Sequence, residues 1–206
     1  MLSDLFTNWL LVGAHPDDVE LGCGGIVSKF SKKVKMTYLV VSPATDDPRN
    51  KNILEELAES CKILELQDKP VVWSYVRRRL HESRYDIRQD LYKFVVNDLK
   101  PDLIFVPSLK DLHPDHSLIA EETARMFRDR TILGYEVVTG NRFDPMLYVG
   151  LDDASVSKKV KALMSYGSQL GRNYFNEEVI RSMARLRGAQ VNMQYAESFE
   201  VLRMVI

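Results

Sequence analysis

The stretch Trp9-Leu10-Leu11-Val12-Gly13-Ala14-His15-Pro16-Asp17-Asp18-Val19-Glu20 decides how this 206-residue chain folds. Its first four residues form a short apolar run of strand length. Pro16 disfavours helical geometry for His15 and keeps it extended, while the acidic residues beyond it fall in the first turn of a helix over about Asp18 to Lys32. The same strand-then-helix unit repeats outward. Met36 to Val41, Val71 to Val76 and Leu103 to Val106 read as strands, and Asn52 to Leu66, Arg84 to Leu99 and His116 to Arg128 as amphipathic helices. Beyond residue 130, Ile132 to Val138, Met146 to Val149 and Glu200 to Ile206 read as strands, with helices over Val156 to Tyr166 and Glu177 to Arg187. Such alternation predicts an α/β fold of the Rossmann-like, doubly wound kind, with a mostly parallel sheet, right-handed crossovers and helices on both faces. No repeat, low-complexity tract or Gly/Ser linker divides the chain, so residues 1–206 are expected to form a single domain.

Composition narrows the function classes. With 45% hydrophobic residues the chain can bury a full core. Its 28 Lys and Arg nearly balance 29 Asp and Glu, so no overall field recruits nucleic acid or an anionic membrane, and partners must be recognised locally. Met1 to Leu11 lack the basic start and long apolar run of a secretory signal, and no apolar stretch approaches membrane-spanning length; a cytoplasmic setting is expected. Cys23 and Cys61 are too few for a disulfide framework or a thiolate zinc site and read as core residues. Homo-oligomerisation is left open.

Chemistry concentrates at two strand-to-helix turns, Ala14 to Glu20 and His113-Pro114-Asp115-His116. In a doubly wound sheet the crevice opens where strand order reverses, commonly between the first and fourth strands at their carboxyl ends, so the two turns should meet there. Together they supply histidine and carboxylate ligands with a position left for water, the composition of a catalytic rather than a structural metal site. His15, Asp18 and His116 are the expected ligands. Asp17 should point elsewhere, leaving its carboxylate to act as general base on a water that the metal acidifies to a pKa of about 7. His113 is expected to face the developing oxyanion, with Asp115 holding its imidazole charged and oriented. Zinc leads by ligand type, and iron(II) or another divalent ion suits the same donors. Either turn alone could be explained by helix capping and ordinary turn prolines. Three of the four histidines, however, lie in two His-Pro-Asp sequences, and capping requires neither the histidines nor the repetition.

At these residues the chain resembles the N-acetylglucosaminyl deacetylases often called PIG-L or LmbE-like, which include the glycosylphosphatidylinositol-, mycothiol- and bacillithiol-pathway enzymes. The family's Ala-His-Pro-Asp-Asp-Glu signature stands as Ala14 to Asp18 with Val19 before Glu20, followed by a glycine pair, Gly24-Gly25, and its His-Pro-Asp-His motif is intact at 113 to 116. Weaker echoes are Asp111, Lys159, Tyr166-Gly167-Ser168-Gln169, Arg187-Gly188 and Ala196-Glu197-Ser198-Phe199. The resemblance implies metal binding by His15, Asp18 and His116, base catalysis by Asp17 with His113 assisting, and metal-dependent hydrolysis of the acetamide of a small N-acetylated amino sugar. Ile53 and Glu65 stand where the family has an arginine and a glycine, so its sugar contacts do not carry over, although Arg49 in the loop Ser42 to Asn50 is a candidate substitute. Arg77-Arg78-Arg79, near His81 and Arg84, follows the third strand on the same rim; it suits a phosphorylated or nucleotide-linked sugar, or is a solvated basic turn.

Rival readings make different demands. A nonheme iron oxygenase uses two histidines and a carboxylate, but in His-x-Asp spacing on another scaffold. A non-catalytic nucleotide- or sugar-binding module would use Gly22, Gly24 and Gly25, yet Val27 holds the third glycine position of a dinucleotide fingerprint. An amidase acting on a larger acyl or thiol-sugar conjugate is the nearest alternative within hydrolysis.

Overall fold

A computed structural model of the chain describes residues 2–97, 99–140 and 142–206. A strand that is apolar beyond its first residue needs cover on both faces, and β1 (Asn8–Gly13) shows how it is supplied. Trp9 and Leu11 enter one apolar cluster, and Leu10 and Val12 enter the other. β2 (Lys35–Val40) and β4 (Leu103–Pro107) flank β1 in parallel, in the register Trp9 to Met36 and Trp9 to Leu103. β3 (Val71–Val72) and β5 (Thr131–Tyr135) extend the parallel sheet, and β6 (Leu147–Leu151) and β7 (Tyr195–Arg203) complete it. The order is β3-β2-β1-β4-β5-β7-β6, with β7 antiparallel to both its neighbours. Strand order therefore reverses between β1 and β4, where the sequence placed the crevice.

After the short α1 (Leu2–Leu5), which the sequence reading did not include, the long helices divide between the faces. α2 (Asp18–Phe30), α3 (Ile53–Ile63), α6 (Asp153–Met164) and α7 (Glu177–Ala189) bury Val19, Leu57, Val160 and Ala184 in the first cluster. α4 (Arg84–Asn97) and α5 (Pro114–Met126) bury Leu91 and Ile119 in the second. Of the expected helix Arg84 to Leu99, Asp98 lies outside the described residues. No described helix is long and apolar enough to cross a membrane. Cys23 and Cys61 are free and buried, as expected of core residues.

β5 ends at Tyr135, short of the expected Val138, and two strands differ further from expectation. β3 stops at Val72, although the backbone N–H groups of Trp73 and Tyr75 still donate to Val40 and Val41; the chain then bends towards Arg78, whose φ is +63°. The last strand begins at Tyr195, five residues before the apolar signal, because its first half carries buried polar groups with built-in partners. α2 breaks at Cys23 (φ −141°), and Glu197 accepts the buried Gly25 and Ile26 N–H groups beyond the break at 2.8 and 2.7 Å. Lys159 Nζ donates to the same carboxylate at 2.6 Å. The glycines of α2 serve this packing: a Cβ on Gly22 would lie inside the Tyr135 ring, and one on Gly25 would strike Leu151.

Candidate metal centre

Both turns leave the carboxyl ends of adjacent strands, so β1 and β4 carry them to one point. Asp18 opens α2 and returns to the turn, its Oδ2 accepting the His15 backbone N–H at 2.8 Å. That oxygen lies 3.7 Å from His15 Nδ1, while Asp18 Oδ1 lies 3.3 Å from His116 Nε2. The other nitrogen of each ring is occupied. Asp111 Oδ2 engages His116 Nδ1 at 2.9 Å, and Asp115 Oδ2 engages His15 Nε2 at 2.9 Å. Carboxylates behind the imidazoles thus fix each ring with its remaining nitrogen towards Asp18, the arrangement that orients histidine ligands around a metal.

His113 completes the cluster. Its ring stacks on that of His116 at 4.4 Å and meets that of His15 edge-on at 5.0 Å. One ring nitrogen from each of the three histidines can be chosen so that all lie within 4.8 Å of one another. His113 is also the N-cap of α5, its Nδ1 accepting the Asp115 backbone N–H at 3.2 Å. This corrects one expected contact: the Asp115 carboxylate holds His15, not His113. The oxygen bound to His15 also accepts the Arg78 backbone N–H at 2.6 Å.

Burial and neighbouring charge divide the titrating groups. Burial disfavours a charge on His116, but Asp18 and Asp111 on either side outweigh it and lift its pKa to about 10. Burial opposes ionisation of Asp18 as well, yet His116 and His15 bring it down to about 2. His113 falls to about 4, through burial and then through its histidine neighbours, so at neutral pH it is uncharged, contrary to the sequence expectation. Asp17 rises well above the ordinary carboxylate range, first through burial and then through Asp18 and Glu20. Its backbone is held at φ 84°, in the left-handed region, and its side chain makes no capping bond. A non-glycine residue in that region is strained by about 1–2 kcal/mol, a device common at functional sites.

The cluster floors a cleft of about 290 Å³. Arg49, Arg77 and Arg78 line it; Arg79 does not, its side chain being 64% exposed and paired with Glu82. Arg172 and Tyr174, from the segment between α6 and α7, line it too, and neither carried a sequence signal. Asp111 stood in the sequence as an echo without a role, although its place two residues before a His-Pro-Asp-His motif was visible.

The profile of the PIG-L family, described as GlcNAc-PI de-N-acetylase, matches residues 10–127, which span both turns and the three strands between them. The chain belongs to the PIG-L family of deacetylases. It is 28% identical over 169 residues to "Uncharacterized deacetylase YaiS" of Escherichia coli (strain K12), covering 77% of this chain and 90% of that one. The N,N'-diacetylchitobiose deacetylase of Pyrococcus horikoshii, solved with an inhibitor, superposes with a TM-score of 0.78 at 24% identity, over 96% of this chain and 84% of that one. A zinc-inhibited form of the teicoplanin deacetylase Orf2 superposes with a TM-score of 0.75 at 15% identity, over 96% and 99% of the two chains. At these identities the structural likenesses speak for the PIG-L fold.

Proposed function

We propose that this PIG-L chain hydrolyses the acetamide of an N-acetylated amino sugar, releasing acetate and a free amine, with a divalent cation held by His15, Asp18 and His116. The observation that carries the proposal is the inward-facing set of Asp18 Oδ1, Asp18 Oδ2, His116 Nε2 and His15 Nδ1, at separations of 3.3 and 3.7 Å, with the outward nitrogens already held by Asp111 and Asp115. The donor set fits such an ion, and the proton that His116 otherwise carries stands where its charge would be. Imidazole and carboxylate donors put zinc first, with iron(II) as the alternative. A cation there supplies Lewis acidity to the amide carbonyl and to a water.

The chain's own groups do the rest. Asp17, buried and raised in basicity, receives a proton from the attacking water as its oxygen bonds to the carbonyl carbon. His113 accepts from the Asp115 N–H at Nδ1, which leaves its proton on Nε2. That N–H donates to the tetrahedral oxyanion without needing a positive charge. The same hydrogen bond argues for His113 as donor rather than ligand, because ligation through Nε2 would move the proton onto Nδ1 and end it. Asp17 then returns its proton to the nitrogen as the C–N bond breaks. The free, buried thiols of Cys23 and Cys61 suit a reducing compartment, and a cytoplasmic setting belongs to the same proposal.

The test is acetate release from free, phosphorylated and nucleotide-linked N-acetylglucosamine, before and after metal removal. Asp17→Asn is expected to keep its metal by elemental analysis and lose about 10²–10⁴ in turnover; His15→Ala is expected to lose the metal itself. Undiminished activity in Asp17→Asn, or in the chelated enzyme, would overturn the assignment. Release of a longer acid in place of acetate would move the chain to the amidase reading.

A further inference from the structure

The ionisable groups lining the cleft divide sharply by sign. Its carboxylates, Asp17 and Asp18, are already assigned to the proposed base and the metal, whereas Arg49, Arg77, Arg78 and Arg172 are all cationic. Two of the four are largely compensated from behind. Asp47 accepts from Arg49 Nε at 3.0 Å and Nη2 at 2.6 Å, and from Arg77 Nη2 at 3.3 Å; Asp46 lies 3.7 Å from Arg77. The side chains of Arg78 and Arg172 enter no ion pair among the described residues, and Arg172 Nη1 donates to the Tyr174 hydroxyl at 2.6 Å.

Arg78 is also the cation most firmly tied to the chemistry. Its φ of +63° puts an arginine where the backbone favours glycine, and its N–H is bound at 2.6 Å by the carboxylate oxygen that orients His15. The backbone of Arg78 is thus tied to the carboxylate that orients His15, and its guanidinium reaches the cleft from that anchored point. A basic turn serving only solubility would need neither the strain nor the anchor.

The geometry points to a substrate whose amine-bearing part carries a phosphate or carboxylate, bound by the guanidinium of Arg78 with Arg172 as the second cation. This rests on the proposed deacetylase reading and narrows its substrate class. Guanidinium groups bind both oxyanions in bidentate fashion. A cleft of about 290 Å³ stands just below the range of small-ligand sites, about 300 to 1,000 Å³, and suits a sugar whose anion is carried on the ring or its immediate substituent.

The experiment compares kcat/KM for N-acetylglucosamine with that for its 6-phosphate, its 1-phosphate and N-acetylmuramic acid, which carries a carboxylate. At least one anionic compound is expected to be preferred about tenfold or more, corresponding to about 1.4 kcal/mol, with the preference shrinking as salt is raised. Arg78→Gly suits the observed φ and removes the guanidinium alone; its preference should fall to near one, and Arg78→Lys should restore part of it. The phosphate and carboxylate arms identify which oxyanion is used. The inference is overturned if no anionic compound outperforms the neutral sugar, or if Arg78→Gly keeps the wild-type ratio. Should no compound release acetate, the deacetylase reading fails separately. Calorimetric binding of the same four compounds then decides the anion question: tighter binding of an anionic compound that Arg78→Gly abolishes supports it, and equal binding overturns it.

Discussion

The two His-Pro-Asp turns share three residues and differ in nearly everything local. In the second, His113 caps α5 with its own ring, Pro114 starts the helix and Asp115 lies within it at ordinary angles. In the first, Asp17 and not the histidine stands at the N-cap, forced to φ 84° with no capping bond before α2 begins at Asp18. The relaxed turn supplies orientation: Asp115 reaches across to His15, and Asp111 holds both the His113 N–H and His116 Nδ1. The strained turn supplies the carboxylate proposed as base. One tripeptide thus serves as scaffold or as reactive element according to the backbone on which it sits.

The largest expected effect that sharpens this comparison is the pH dependence of metal binding. In the metal-free protein Asp18 and Asp111 keep His116 protonated up to about 10, so a cation must displace that proton. Each unit by which pH rises towards about 10 therefore strengthens apparent affinity about tenfold, and the slope flattens above it. Chelator competition at pH 7, 8 and 9 measures this, and a flat response would remove His116 from the ligand set.

The supporting carboxylates come next. Replacing such a partner typically costs 10- to 100-fold in metal affinity. Both Asp111 oxygens accept hydrogen bonds, from the His113 N–H and at His116 Nδ1, so Asp111→Asn must set one N–H against a donor. Asp115 Oδ1 has no partner, and an asparagine there can turn its amide into that position and still accept from His15. Asp111→Asn should therefore approach the 100-fold end and Asp115→Asn the tenfold end. The reverse order in a zinc titration would show that the ring partners are wrongly ranked.

What the sequence revealed and what it hid divide along physical lines. Strands buried on both faces announce themselves as apolar runs, so β1, β2 and β4 and the reversal between β1 and β4 could be read directly. His15, Asp18 and His116 were brought together in expectation because the turns stood at matching stations on adjacent strands. Side-chain partners were not legible. The carboxylate of Asp115 belongs to His15, a hundred residues away, while the neighbouring His113 takes only its backbone N–H. The start of β7 was masked by Glu197, Ser198 and Glu200, polar residues whose burial depends on partners far away in the chain, such as Lys159 and Ser108. Arg172 reaches the cleft three residues beyond the Tyr166-Gly167-Ser168-Gln169 echo, with no signal of its own, and Arg79 leaves the rim for Glu82 although it sits beside two arginines that line it.

The smallest expected effect isolates the backbone difference itself. Asp17→Gly and Asp17→Ala both delete the carboxylate, and with it the cost of burying that group, so their difference reports the left-handed conformation. Glycine adopts φ 84° freely, whereas alanine retains a strain of about 1–2 kcal/mol. For a chain of this size each kcal/mol shifts the melting temperature by about 2–4 °C, so the glycine variant should melt about 2–8 °C above the alanine variant, both being inactive. At Asp115, the matching residue of the other turn, the backbone is helical, and the order should reverse because glycine in a helix costs about 0.5–1 kcal/mol relative to alanine. Opposite orders at the two positions would establish that strain is confined to the turn bearing the proposed base. The same order at both would mean that Asp17 sits in a relaxed conformation, and that the contrast between the turns lies in their side chains alone.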